Sequence, residues 1–288
     1  MEQAAAAGVW QELKLQSLLA NTNEEIDANI NSALDRKLPP FQTLMGKSDG
    51  AVAIVGNGPS LKENWRELLR FKGDILACNG AFAFLLEKGI KPKFMFCFEA
   101  HDMALDFIKP VQGVTYLLAS RCPPKAYDLL AGCPIVCWHA AGDHHIRDIL
   151  EARRIAEPMV TGGTAAVTRA MNFVPSMGYK DIHIWGGDSS HLDGATHARK
   201  GPATEKPMRV QVNKREFVTS AWMAVQVEDF KILAPMLLNT LGLGLHVHGD
   251  GLLPHVAMSM GCRTDIYPRV KQFAREWKWK ARSLWQNL

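Results

Sequence analysis

AVAIVGNGPSL, residues 51–61, is a continuous apolar run that breaks into a glycine-rich turn. A strand with one wet face alternates apolar and polar residues, whereas an unbroken run suits a strand covered by helices on both faces of a parallel sheet. The same beat recurs outward from it, in DILACN (74–79), FMFCFE (94–99), VTYLLAS (114–120), PIVCWH (134–139) and DIHIWGGD (181–188). Helical spacing falls between these runs, around 65–71, 82–88, 127–130, 145–154 and 164–177. A helix over 220–241 and a last strand, LHVHG (245–249), complete the pattern. The expectation is an α/β fold with a doubly wound, mostly parallel, Rossmann-like sheet.

Three segments follow from this pattern. Residues 1–50 are expected to form a helical N-terminal extension, residues 51–267 the Rossmann-like domain, and residues 268–288 a basic amphipathic helix. On that last helix Val270, Phe273, Trp277, Ala281 and Leu284 share a face. Such a helix can lie on an anionic membrane or a protein partner, although packing on its own domain is the commoner use. Between the helices expected over 164–177 and 220–241, residues 193–209 turn polar and rich in Gly, Pro and Lys, which reads as a long loop and a candidate lid.

Composition narrows the function classes. A hydrophobic share of 47% and a charged share of 22% over 288 residues are those of a globular chain with a sizeable core. The formal charge of +4 is too small to point to nucleic acid, yet it suits a ligand that carries phosphates. Six cysteines sit in or beside apolar runs and read as reduced, buried thiols; Cys133 and Cys137 lack a second pair at zinc-finger spacing. The N-terminus lacks a basic leader with an apolar core, and no apolar run is long enough for a membrane span, so a cytoplasmic protein is expected.

In parallel α/β sheets, ligands sit at the carboxyl ends of the strands. After the first run come Gly56, Asn57, Gly58 and Ser60, where glycines allow close backbone approach and helix-start amides can bind a phosphate. The spacing is neither a Walker loop nor a full G-x-G-x-x-G fingerprint. Asn79 follows the second run, Glu99, His101 and Asp102 the third, and Asp188, Ser189 and Ser190 the sixth. Glu99 and Asp188, read as ends of neighbouring strands, are the candidate pair for Mg²⁺ or for general-base work; Asp102 reads equally as a helix cap. Gly162, Gly163 and Thr164 precede an Ala-rich helix and suggest a second anion pocket. His191 and His197, in the candidate lid, are the histidines placed to meet a substrate. His246 and His248 alternate along a strand at a ligand-pair spacing, but no third ligand is evident and they read as structural.

Together VAIVGNGPSL (52–61), ACNGA (77–81), FCFEAHD (96–102) and VTGGTAAVTRAMNFVPSMGYKDIHIWGGDSS (160–190) resemble the 6-hydroxymethylpterin diphosphokinase-like (MptE-like) family. That family looks related to the central domain of motility-associated flagellin glycosyltransferases and to bacterial sialyltransferases. The resemblance implies that Asn57, Asn79, Gly162 and Gly163 hold a nucleotide. It departs at Glu99, where Asp or Asn is usual, and NKREFVTSAWM (213–223) offers no counterpart to the expected sialyltransferase histidine. Three functions follow. The first is transfer of a sugar from a CMP-sugar or another nucleotide-sugar to a small-molecule or glycan hydroxyl, with Glu99, Asp188 and His191 as catalytic candidates. The second is Mg²⁺-dependent pyrophosphate transfer from ATP to a hydroxymethylpterin-like acceptor. The third is a non-catalytic nucleotide-binding module.

Overall fold

A computed structural model describes residues 21–143, 145–199 and 206–265. After α1 (Asn23–Asp35) the chain alternates β1 (Ala51–Val55), α2 (Leu61–Asn64), β2 (Asp74–Cys78), α3 (Ala81–Glu87), β3 (Phe94–Cys97), β4 (Thr115–Ala119), α4 (Pro124–Leu129), β5 (Ile135–Ala140), α5 (Ile146–Ala152), β6 (Met159–Val160), α6 (Ala166–Met177) and β7 (Asp181–Trp185). A hairpin of β8 (Met208–Val212) and β9 (Arg215–Thr219) then leads to α7 (Ala221–Pro235), β10 (Gly244–His248), α8 (Leu252–Ser259) and β11 (Arg263–Asp265).

Nine strands make one sheet in the order β11-β10-β7-β1-β2-β3-β4-β5-β6, and every pairing in it is parallel. The apolar runs are buried as a two-sided sheet requires: Ile54, Met95, Phe96, Leu117 and Leu118 are fully covered. Beneath the centre, α6 drives Phe173 into an aromatic cluster with Phe41, Phe96 and Trp138. On the N-terminal segment, Ile30 of α1 packs with Ile146 and Leu150 of α5, and Asp27 pairs with His145.

The doubly wound architecture is as the apolar runs predict. Several local expectations need correction. The helix expected over 65–71 is a 3₁₀ segment, Trp65–Leu69, preceded by the single turn of α2. The expected lid, 193–209, is irregular through residue 199 and its far end is already β8; residues 200–205 lie outside the described residues, as does the expected C-terminal helix. Asp102 opens a 3₁₀ turn, but its carboxylate pairs with Lys125 instead of capping that turn.

Strand order also relocates the carboxylates. Between β7 and β3 lie β1 and β2, so the strands leading to Asp188 and Glu99 are not neighbours. Three strand spacings put those backbones about 14 Å apart. The reversal of strand order lies instead between β1 and β7, the crevice where doubly wound sheets take ligands.

Candidate functional site at the switch point

The loops after β1 and β7 lock together across this crevice. Gly56 donates its amide to Trp185 O at 2.8 Å, and Gly58 donates to Gly186 O at 2.8 Å. The backbones meet so closely that a Cβ on either Gly56 or Gly58 would come 2.5 Å from Gly186 O. Asp188 is the pin: buried at 2% exposure, it accepts the Ser60 amide on Oδ2 at 2.8 Å. Burial pushes its carboxyl up to about 6, with Asp250 and Glu63 adding repulsion and hydrogen bonding from Ser60 pulling back. Asp188 therefore holds the GNGPS loop in place before any role toward a substrate.

A raised carboxyl stabilises the fold when protonated. That contribution is complete below the unfolded value of 3.8 and is lost as pH rises through about 6, a difference worth about 3 kcal/mol. Asp188→Asn, which keeps the acceptor for Ser60, is expected to lack this loss. The Tm of the variant relative to the parent should climb from pH 4.5 to pH 7.5; a constant offset would contradict the assignment.

The asparagines are engaged with backbone. Asn57 accepts the Arg199 amide on Oδ1 at 3.2 Å and its carbonyl accepts the Ala198 amide at 2.7 Å, so it tethers the segment after His197. Asn79 adopts a left-handed φ of 44° and accepts the Phe98 amide at 3.4 Å. Both nevertheless line a cavity of about 730 Å³, together with Gly56, Gly58, Glu99 and Asp188. Ser60, just beyond Pro59, is buried at 3% exposure. Glu99 accepts the His101 amide at 3.1 Å and is half-buried.

The second anion pocket is corrected in its position. Gly162 and Gly163 are absent from the cavity wall and serve the turn into α6, at φ values of 97° and 25°. Thr164 reaches the wall, but its amide and hydroxyl already bond the Asp229 carboxylate of α7 at 2.6 and 2.8 Å. Two residues further, Ala166, Val167 and Thr168 line the cavity as the first residues of the twelve-residue α6. Their amides have no acceptor within the helix and carry its positive end.

Two arginines missed by sequence reasoning stand beside these amides. Arg121, just past β4, and Arg169, in the first turn of α6, each place a guanidinium carbon 4.8 Å from the Phe98 ring centroid, in cation–π contact. Arg121 pairs with Asp143 at 2.7 Å, and Arg169 donates to Val160 O at 2.7 Å and Ala141 O at 3.1 Å. Arg169 is only 8% exposed, and the Nε atoms of both arginines are buried without a partner among the described residues. Arg121 was open to the strand-end rule; Arg169, inside a helix, was not. The facing wall is α7, with Trp222, Met223 and Gln226.

Of the two lid histidines, His197 lines the cavity and His191 does not. The backbone of His191 bonds Val218, and its Nε2 is buried without a partner among the described residues. His197 has Nδ1 2.9 Å from the Thr196 hydroxyl, and burial, then His191, lowers its pKa below the ordinary imidazole value. As for Mg²⁺, Glu99 and Asp188 both line the cavity but follow strands three positions apart, and Oδ2 of Asp188 is taken by the Ser60 amide, so they are not the neighbouring-strand pair that the sequence suggests.

Fold and cleft define the class: a doubly wound α/β protein with a ligand-sized cavity at its topological switch point. More narrowly, the chain belongs to the 6-hydroxymethylpterin diphosphokinase MptE-like family, whose model matches residues 24–194. Its fold is similar to that of the MAf glycosyltransferase from Magnetospirillum magneticum AMB-1, with a TM-score of 0.60 at 16% identity, covering 88% of this chain and 39% of that one. This chain thus spans well under half of that protein's length. No curated protein matches the sequence. Among the described residues no helix is long and apolar enough to cross a membrane.

Proposed function

We propose that this protein is a nucleotide-dependent transferase that moves a sugar from a nucleotide-sugar donor to a hydroxyl acceptor, with the donor phosphate held by the start of α6, Arg121 and Arg169. Family membership supports transferase chemistry at the coarse level. The observation that carries the finer reading is the anion wall: first-turn amides of α6, Arg121 and Arg169, all on one cavity. In sugar transfer the acceptor oxygen forms a bond to the anomeric carbon while the bond from that carbon to the phosphate oxygen breaks. The departing phosphate gains charge, and fixed amides and guanidinium groups stabilise it. His197, neutral at pH 7 by the direction of its shift, takes the acceptor proton on Nε2 when Nδ1–H donates to Thr196.

Pyrophosphate transfer from ATP is the second reading, favoured by the family description and by Glu99 on the cavity wall. It is disfavoured by the separation of Glu99 from Asp188. A thermal-shift panel of CMP, CDP, UDP, GDP, ADP and ATP, each with and without Mg²⁺, separates the two, since a ligand selective for the folded state raises Tm. Metal-independent stabilisation by a nucleoside mono- or diphosphate is expected. A response to ATP only with Mg²⁺ would overturn the sugar-transfer reading, and no response to any nucleotide would overturn both. With a nucleotide-sugar identified, His197→Gln should reduce kcat by about 10²–10⁴-fold with little change in nucleotide affinity.

A further inference from the structure

Away from this cavity, the pairing of β7 with β10 brings His246 beside Asp181 and His183, from which the sequence keeps it far apart. The parallel register sets His246 beside His183 and Gly244 beside Asp181, on the two strands that adjoin near the sheet edge. Asp181 Oδ2 lies 3.2 Å from His183 Nε2, and Asp181 Oδ1 lies 3.0 Å from His246 Nε2. The two imidazoles stack with centroids 4.2 Å apart and planes 11° from parallel, so both direct Nε2 toward one carboxylate. One potential ligand atom from each residue falls within 4.8 Å of the others. Ligands sharing one tetrahedral Zn²⁺ stand about 3.3 Å apart, close to the two contacts here. Gly244 makes the room, because a Cβ there would collide with Asp181 Oδ1.

We propose that Asp181, His183 and His246 form a transition-metal site of the Zn²⁺ class that clips β7 to β10, with a fourth position open to water. Two imidazoles and one carboxylate suit Zn²⁺ and its neighbours Co²⁺ and Ni²⁺ over the hard cations. His183 Nδ1 lies 3.0 Å from His248 Nε2, so a metal on His183 Nε2 leaves Nδ1–H free to donate to His248, an outer partner that orients the ligating ring. Because none of these four residues lines the cavity, the ion supports the sheet and has no part in the transfer step.

The test uses the untagged full-length chain stripped with EDTA. Calorimetric titration with Zn²⁺ is expected to give one equivalent bound and a higher Tm. Co²⁺ should show the visible bands of a nitrogen and oxygen site without thiolate charge transfer. Asp181→Asn, close in shape to the parent, and His246→Gln should each weaken binding at least about 100-fold, and His248→Gln about 10-fold. Cys133→Ser should bind as the parent does. Circular dichroism confirms that each variant is folded, and Asp181→Asn decides if His246→Gln is not. Absence of a bound equivalent, a thiolate band, or undiminished binding by folded Asp181→Asn overturns the proposal.

Discussion

Gly58→Ala is expected to lower Tm by on the order of 10 °C and to abolish nucleotide binding. The added Cβ would come 2.5 Å from Gly186 O and collide with the Asp188 carboxylate, neither of which can withdraw. Gly186 is held by the Gly58 amide itself, and Asp188 is buried against Ser60. Overpacking of this kind costs about 1–3 kcal/mol, and releasing the buried Ser60 amide adds about 1–3 kcal/mol. In a chain of this size each kcal/mol moves Tm by roughly 2–4 °C. Binding fails with stability because this loop is one wall of the crevice. A melting curve and one nucleotide titration check both parts; a variant within 2 °C of the parent, taken as about the effect of 1 kcal/mol, would show that the two loops are not locked as described.

Arg121→Leu and Arg169→Leu are each expected to weaken binding of a nucleoside diphosphate about 10–150-fold, the range for a lost charge-assisted hydrogen bond of about 1.5–3 kcal/mol. Affinity for the bare nucleoside should change little, so the ratio of the two affinities isolates the phosphate. Each arginine also has a structural duty. Arg121 neutralises buried Asp143, and Arg169 satisfies two carbonyls at the ends of β5 and β6. For Arg121 the double variant with Asp143→Asn removes the stranded carboxylate and should restore Tm without restoring diphosphate affinity. Equal losses for nucleoside and diphosphate would place the phosphate elsewhere.

The fold was legible because its signal is local. An unbroken run such as FMFC (94–97) is buried along its whole length and needs no knowledge of its neighbours to read as a strand. The hairpin of β8 and β9 was not legible: Arg209 and Gln211 are exposed, and polar strands of this kind look like loop. Position along the chain foretold which residues follow each strand, hence Gly56, Asn79 and Glu99 on the cavity wall. It could not foretell strand order, and so Glu99 and Asp188 were read as neighbours. Arg169 was hidden by its helix, and the third ligand beside His246 by the register that brings Asp181 and His183 across from β7. What joins Thr164 to Asp229 or Ser60 to Asp188 is tertiary contact over 65 and 128 residues, for which sequence periodicity carries no signal.

The pairing of β1 with β7 also governs when the crevice can exist during synthesis. Its first wall, the GNGPS loop, leaves the ribosome well before Asp188, which pins it and emerges 128 residues after Ser60. Strands β1 to β5 can associate side by side in the order they appear, at modest loop-closure cost. The central position beside β1 stays unfilled until β7 arrives, and until then one edge of β1 is an unpaired apolar template. A nascent chain that stops short of β7 therefore carries most of the signature motifs but no binding crevice, and it presents its stickiest edge to whatever chaperone attends the exit tunnel.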